Sequence, residues 1–569
     1  MSELKSKFWT KSYDDHVKSS LKYPKESLGE IFTEALTRFP DKPACYFMER
    51  TIPYNEIWDY IQRFATFLQK NGLEKGDVVA INIANSPQFL IAQFGTWIAG
   101  GVTSGCSPLL SDEELTYQLN DSEAKFILTM DIIFDKILCK KGILDNLPKL
   151  KTVIATNISE YMGLSKFKQF LGKLIGKIPK GKVMPWPGKN VVKFKDVMTT
   201  EIDLKSVSID NDKDLAQLQY TGGTTGRPKG TELTHANMIA NLIQFDHWLD
   251  REKGTDVIVS CFPYFHIAGL LVCDFSTYLS GTQVLIANPR DTDHLINEII
   301  DKKPTVFANV PTLYMMIINN PKLANIPRSI LDNINLYVSG AAPFPVESVR
   351  EFEKSMYAEN KLVEVYGMTE ASPLVTSNPA IKQKKIGTVG LPFPDTEFRL
   401  IDIESGKDVG IGETGEILIK GPQITRGYYN KPGPTAKTII DGWLHTGDVG
   451  VFDDDGYLKI VDRTKDMLNV SGYKVYSVHV EDIMTKQEDI EIIAIIGVKN
   501  PDRPGSEIVK AVIQLKEGIN ATEEVKERIK TYAKKSLSSY ENPKIWEFKD
   551  EIPLTSIGKV LKRELRDVE

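Results

Sequence analysis

Tyr220-Thr221-Gly222-Gly223-Thr224-Thr225-Gly226-Arg227-Pro228-Lys229-Gly230 is the stretch on which the reading of this chain turns. Glycine backbone reaches positive φ without penalty and lets N–H groups approach an anion closely. Thr221, Thr224 and Thr225 add hydroxyl donors, and Arg227 and Lys229 add positive charge. This is the composition of a phosphate cradle. Its spacing is not the G-x-x-x-x-G-K-[ST] of the P-loop NTPases, because Lys229 follows Pro228 and precedes Gly230. The apolar alternation at Leu215 and Leu218 predicts a strand running into the loop, and Thr234 caps a helix from His235 to about Trp248.

On both sides of this stretch, strand and helix patterns alternate. Upstream, Ile57, Ile61, Phe64, Ala65 and Leu68 keep helical spacing as far as Gly72, the run 78–83 reads as a buried strand, and 87–99 reads as a buried helix. Gln88, Gln93, Gly100, Gly101 and Pro108 interrupt the uncharged run 86–111, which excludes a membrane span there. Downstream, the strand 257–262 leads into Pro263-Tyr264-Phe265-His266, the strand 336–338 opens into Ser339-Gly340-Ala341-Ala342-Pro343, and 362–365 delivers Tyr366-Gly367-Met368-Thr369-Glu370. The alternation implies an α/β fold, with one largely parallel sheet bringing the loops 220–230, 339–343 and 366–370 to one edge. There, small residues leave space for a flat ring, Thr369 can bond a phosphate oxygen, and Glu370 can hold a divalent metal.

After Gly387, short β runs with turns at 404–406 and 453–456 suggest an antiparallel subdomain, in which Asp448 can accept from ribose hydroxyls. Asp462-Arg463-Thr464-Lys465-Asp466 reads as a charged linker, and about a hundred further residues form an α+β unit that places Lys559 on a turn before the last helix.

A chain of 569 residues exceeds what one core serves, so two or more domains are expected. A net charge of −6 gives no case for nucleic-acid binding. The five cysteines, Cys45, Cys106, Cys139, Cys261 and Cys273, have neither CxxC spacing nor an even framework, and they fit a reducing cytoplasm as buried apolar residues. The segment 1–11 lacks the apolar core of a signal peptide. One block stands apart: 161–190 carries seven lysines and no acidic residue. Within it Leu164, Phe167, Phe170, Leu171, Leu174 and Ile175 recur at helical spacing. Two readings fit that pattern: a helix lying on an anionic membrane surface through 164–182, or a helix packed by its stripe on the body with a solvated basic face.

Taken together, the loop 220–230, the segment 366–370, the stretch 443–448, the linker 462–466 and the terminal Gly558-Lys559 resemble the adenylate-forming superfamily of acyl-CoA synthetases, luciferases and adenylation domains. Tyr117-Gln118-Leu119-Asn120-Asp121-Ser122, Ser372-Pro373-Leu374 and 386–392 are similar to the bacterial-type long-chain fatty-acid CoA ligases. The resemblance implies a large N-terminal domain, 1–462, of stacked α/β subdomains plus a β-rich subdomain. A hinge at 463–466 and a small mobile α+β domain, 467–569, would follow. It implies two half-reactions: a fatty carboxylate attacks ATP to give an acyl-adenylate and pyrophosphate, and coenzyme A then displaces AMP. Thr221, Gly222, Gly223, Thr224, Thr225, Gly226 and Lys229 would hold the β- and γ-phosphates. Gly340, Ala341, Ala342, Tyr366 and Gly367 would hold adenine, Asp448 and Arg463 the ribose, Thr369 the α-phosphate and Glu370 Mg²⁺. Lys559 would bridge the carboxylate and α-phosphate in the first half-reaction, and His266 would line the junction of the acyl and pantetheine tunnels. Rotation about Lys465 would then bring Gly472, Tyr473 and Lys474 to coenzyme A. Ser477 and His479 depart from the family pattern, which has a proline and a glutamate there. A cytoplasmic protein, at the inner face of the membrane if 164–182 binds lipid, is expected, and a homodimer is compatible with the pattern. Two other readings stand beside this one: a related ligase acting on an aromatic acid or loading a carrier protein, and a non-catalytic nucleotide- or membrane-binding relative.

Overall fold

The computed structural model describes residues 7–139, 142–221, 227–470, 473–501, 503, 506–555 and 559–566. Two large sheets carry the body. The first has seven strands in the order Asn190–Lys193, Thr152–Thr156, Phe126–Met130, Val78–Asn82, Val102–Gly105, Leu215–Thr221 and Lys229–Thr234, parallel up to the last, antiparallel pair. Its middle strands are buried at every position, as expected for a parallel sheet covered on both faces. The helix Pro87–Ile98 is buried from Pro87 to Trp97 between those strands and the helix Tyr54–Lys70. Among the described residues no helix is long and apolar enough to cross a membrane.

The second sheet has nine strands. Pro43–Phe47, Thr282–Leu285, Val257–Ser260, Val306–Asn309, Leu336–Ser339 and Leu362–Gly367 form its parallel centre. Antiparallel strands Arg50–Pro53, Leu374–Ser377 and Leu391–Pro392 complete its edges. One sheet bringing all three sequence loops to a single edge is therefore not what forms. Leu336–Ser339 and Leu362–Gly367 are neighbours in the nine-stranded sheet, whereas Leu215–Thr221 belongs to the seven-stranded one. Hydrophobic alternation fixes that a segment is a strand but not which sheet it joins. Here the choice is made by pairing: Tyr220 lies opposite Gly230 and Thr221 opposite Lys229, so the two flanks of the glycine loop run side by side. The expected strand, loop and helix thus acquire a second strand, Lys229–Thr234, whose last residue, Thr234, caps the helix His235–Leu249.

A five-stranded antiparallel sheet follows, built from Glu397–Ile401, Gly415–Lys420, Ile439–Ile440, Trp443–Phe452 and Leu458–Arg463. Trp9, 1 % exposed, stacks on Phe452 at 5.6 Å and meets Phe398 edge-on, so the turn around Trp9 is packed into this subdomain. Beyond Arg463, a hairpin of Leu468–Val470 with Tyr473–Val475 and a three-stranded sheet of Ile490–Lys499, Glu507–Leu515 and Ile545–Phe548 build a small unit with its own core around Ile493, Ile495, Ala511 and Ile529. It is fastened to the body by Asp462, whose carboxylate accepts from the Ser477 backbone N–H and, at 3.0 Å, from its hydroxyl. Lys562 donates to Ser477 Oγ at 2.8 Å and pairs with Glu481 at 2.7 Å, and Arg566 pairs with Asp466 at 2.9 Å. A proline at position 477 would lack both donors that Ser477 gives Asp462.

The basic block forms the helix Lys166–Leu174, none of whose residues is buried. Phe167, Phe170 and Leu174 are 74 %, 64 % and 66 % exposed, so the reading in which the stripe packs on the body is set aside. All five cysteines are free thiols and buried.

Trp9→Ala is expected to cost about 3–5 kcal/mol, the usual range for removing a buried aromatic side chain. Calorimetry should show a lower melting transition for the body, with the small unit's transition unmoved.

Candidate active site

The floor of the site lies where the parallel strands of the nine-stranded sheet end. Beyond Ser339, Gly340 leaves no room for a side chain, since a Cβ there would stand 2.7 Å from Val365 Cγ2. Ala341 adopts a left-handed φ of 67°, a conformation that costs a non-glycine residue energy and that concentrates at functional sites. On the neighbouring strand, Tyr366 donates its hydroxyl to Asp448 Oδ2 at 2.7 Å, while Arg463 Nε donates to Asp448 Oδ1 at 3.0 Å. Asp448 is buried and lies within the strand Trp443–Phe452 rather than at a loop end, with Arg463 as its cross-strand partner.

The side nearest the glycine-loop flanks is built around two carboxylates. Glu370 Oε1 accepts from the Tyr428 hydroxyl at 2.7 Å, and the Lys229 ammonium lies 4.2 Å from the centre of the same ring. Asp121, at the end of the helix Asp112–Asp121, accepts from Tyr220 at 2.9 Å and from Lys431 at 2.6 Å. One turn earlier, Tyr117 donates to the Pro228 carbonyl at 2.9 Å, and the Arg227 guanidinium sits 5.2 Å from its ring centre. Both flanks of the glycine loop are therefore pinned by one helix. The residues Gly222, Gly223, Thr224, Thr225 and Gly226 themselves lie outside the described residues, as does Gly472.

Lys559 reaches in from the small unit. Its backbone is fixed by a hydrogen bond from Thr555 N–H to the Lys559 carbonyl at 2.7 Å, and Lys559 N–H donates to Thr555 Oγ1 at 3.0 Å. Burial withdraws its ammonium from water and Arg463 repels it, against attraction from Asp448, and together these lower its pKa to about 8. The Lys559 charge is felt by His266, whose imidazole is held near a pKa of about 4 by burial first and by that lysine second. His266 is thus neutral. It caps the helix Ile267–Tyr278 by accepting from Ala268 N–H at Nδ1, at 3.3 Å, which leaves Nε2 to carry the proton.

One cleft of about 2780 Å³ between the body and the small unit is lined by Thr221, Lys229, Gly340, Ala341, Ala342, Tyr366, Gly367, Thr369, Glu370, Asp448, Arg463, Lys465 and Lys559, with Asp121, Tyr117, Arg227 and Lys431 outside its lining. Beside His266 its wall is apolar, formed by Phe245, Phe262, Phe265, Ile267, Leu271 and Val272. Tyr473 and Lys474 do not line it: Tyr473 is exposed and stacks on Tyr540 at 4.8 Å, and Lys474 pairs with Glu404 at 3.1 Å. Sequence reasoning missed Tyr428 and the role of Asp121. Nothing local marks Tyr428, and Asp121 was legible only as part of a family-like string. It also missed Glu364, a cleft-lining carboxyl that burial pushes up to about 8.

A body of largely parallel sheets, a hairpin flanking the glycine-rich stretch and a small unit that brings a lysine to the cleft are the architecture of an adenylate-forming enzyme. The model of the AMP-binding enzymes matches residues 32–429 and that of their C-terminal domain matches 479–559, and the chain belongs to the AMP-binding enzyme family. It is 37 % identical to the long-chain-fatty-acid–CoA ligase of Bacillus subtilis (strain 168), over 99 % of this chain and 98 % of that relative. With the long-chain-fatty-acid–CoA ligase of Escherichia coli O157:H7 the identity is 34 %, over 99 % and 98 %. Among solved structures, ATP-bound MatB from Rhodopseudomonas palustris superposes with a TM-score of 0.79 at 26 % identity, covering 95 % of this chain and 99 % of that one.

Replacing Asp121 by alanine removes the shared acceptor of Tyr220 and Lys431, and should weaken the hold on the glycine-loop flanks. Steady-state kinetics should show the KM for ATP rising about tenfold, the effect of about 1.4 kcal/mol, with folding unchanged by circular dichroism.

Proposed function

We propose that this protein activates a fatty acid with ATP to an acyl-adenylate and transfers the acyl group to coenzyme A, releasing pyrophosphate and then AMP. The observation that carries the reading is the placement of Lys559: a desolvated ammonium inserted between the ribose-side carboxylate Asp448 and an apolar wall suited to an alkyl chain. A cation there stabilises the negative charge that spreads between carboxylate and α-phosphate as they react. The identities shared with the two bacterial ligases over nearly the full chain support the same acid class.

In this reading Gly340, Ala341 and Ala342 face one side of adenine, with Tyr366 on the other. Asp448, oriented by Tyr366 and Arg463, uses its remaining lone pairs for the ribose hydroxyls. Thr369 meets the α-phosphate, and Thr221, Lys229 and the loop residues 222–226 hold the outgoing pyrophosphate. Among the described residues no three carboxylate, histidine or cysteine groups gather to cage a metal. Glu370 alone suits Mg²⁺, an ion held by one or two carboxylates together with substrate phosphates. It would supply charge neutralisation at the phosphates when bound with ATP. Neutral His266 borders the acyl channel without adding charge. Residues 463–466 serve as a hinge at Lys465 between the domains 1–462 and 467–569, and the second half-reaction requires Gly472, Tyr473 and Lys474 to approach the cleft from their present place beside Glu404 and Tyr540.

The activity is tested by incubating the protein with ATP, Mg²⁺, coenzyme A and a series of fatty acids. AMP release that needs both acid and coenzyme A supports the reading, and release indifferent to chain length but dependent on an aromatic acid overturns the acid class. Lys559→Ala should lower acid-dependent pyrophosphate exchange at least a hundredfold while leaving thioester formation from supplied acyl-adenylate within a few-fold; equal loss of both would remove the division of labour.

The first half-reaction needs the Lys559 ammonium protonated. With the free-enzyme pKa lowered from 10.5 to about 8, kcat/KM for adenylation should decline as pH rises through 8. In the kcat profile the limb should move to higher pH, because bound polyphosphate favours the charged lysine.

A further inference from the structure

We propose that the helix Lys166–Leu174 is a docking element for an anionic lipid bilayer. The helix fills the crossover between the strands Thr152–Thr156 and Asn190–Lys193, at the edge of the seven-stranded sheet. Phe167, Phe170, Leu171, Leu174 and Ile175 fall at i, i+3, i+4, i+7 and i+8, one face of a helix, and all five are exposed, from 43 % to 74 %. An apolar face this continuous on a nine-residue helix is costly to leave in water.

The helix is held in place and is not a loose tail. Its inner side is occupied by the chain's own return: Ile178 is buried and packs so closely on Gly172 that a Cβ there would stand 2.7 Å from Ile178 Cδ1. Lys168 pairs with Glu49 at 3.0 Å, and Asn157 Nδ2 donates to the Pro179 carbonyl at 2.8 Å. With the inner side filled, the aromatic and aliphatic face can only point outward.

Charge selects the occupant. The block 161–190 carries seven lysines and no acidic residue in a chain whose net charge is −6. Lys166 and Lys173, one heptad apart, flank the apolar face, and Lys177, Lys180 and Lys182 continue exposed beyond it. Electrostatic attraction reaches only about 8 Å at physiological ionic strength, so an anionic surface is drawn to this patch and not to the acidic remainder. A second copy of the chain meeting this face about a two-fold axis would set the lysine cluster against itself. An apolar stripe between lysines matches helices that lie in the headgroup region, where the stripe enters the acyl boundary and the ammonium groups stay with lipid phosphates.

The test is flotation of the full-length protein with vesicles of phosphatidylcholine alone or mixed with phosphatidylglycerol. Binding should be at least tenfold stronger to the anionic vesicles and weaken with added salt. Phe167→Ser with Phe170→Ser and Leu174→Ser, and separately Lys166→Glu with Lys173→Glu and Lys177→Glu, should each lower partitioning at least tenfold, while turnover of a soluble medium-chain acid stays at the wild-type value. Wild-type protein that ignores anionic vesicles, or variants that bind as well as wild type, would overturn the proposal. So would a concentration-dependent dimer in sedimentation velocity that the serine variant abolishes, because the stripe would then belong to a second copy. The readout is partitioning, so its outcome is independent of the assigned activity.

Discussion

The carboxylate of Asp448 ties the end of the nine-stranded sheet to the five-stranded sheet, beside the strand end from which the small unit leaves. It belongs to the five-stranded sheet, accepts from Tyr366 at the end of the nine-stranded sheet, and accepts from Arg463 at the last residue before the small unit. It is also the one group on this side whose charge opposes the loss of the Lys559 proton. A buried carboxylate is tolerable only when its lone pairs are used, and here two donors from different subdomains use one on each oxygen. The relative placement of sheet, subdomain and linker is therefore locked by the requirement to satisfy one charge, and the cleft takes its shape from that lock.

Boundary interactions are arranged differently on the far side of Arg463. Asp462, also on the cleft wall, meets Ser477, which Lys562 joins to Glu481, so adjacent residues of one strand bind different parts of the molecule. Ser477 supplies both donors that meet Asp462. In the arrangement described, the small unit presents Lys559 to the cleft and keeps Lys474 beside Glu404. The proposed rotation would have to exchange these buried hydrogen bonds for others, which makes this cluster the energetic boundary between the two arrangements.

Much of this was legible in the sequence, for reasons that can be traced residue by residue. Thr234 and Gly72 mark helix ends through local chemistry, and the elements they bound lie where that chemistry puts them. Lys229, Tyr366, Glu370, Asp448, Arg463 and Lys559 converge on one cleft because each sits at a chain feature with its own signature, and their company in sequence was more telling than any one of them. What was not legible depends on pairing between distant segments. Leu215–Thr221 could not be assigned to its sheet from alternation, and Tyr428 gains meaning only when the chain folds its ring between Glu370 and Lys229. Periodicity found the stripe of the helix Lys166–Leu174 but could not tell which way it faces, since that is decided by Ile178 filling the other side.

The burial of every cysteine has a chemical consequence for the proposed reaction. A mixed anhydride of a carboxylic acid and a phosphate is an acylating agent that reacts with any thiolate it meets, and the intended nucleophile is itself a thiol. Burial raises the thiol pKa of Cys45, Cys106, Cys261 and Cys273, and that of Cys139 to about 11, so thiolate is disfavoured at each. Cys106, Cys261 and Cys273 stand next to the cleft-lining Gly105, Phe262 and Val272, and all three are fully enclosed, Cys106 with its Sγ against the Ser104 carbonyl. The protein's own thiols are thereby protected from acylation, and they offer coenzyme A no exposed partner for a mixed disulfide. Keeping its own sulfur silent leaves the mixed anhydride to the sulfur that arrives from solution.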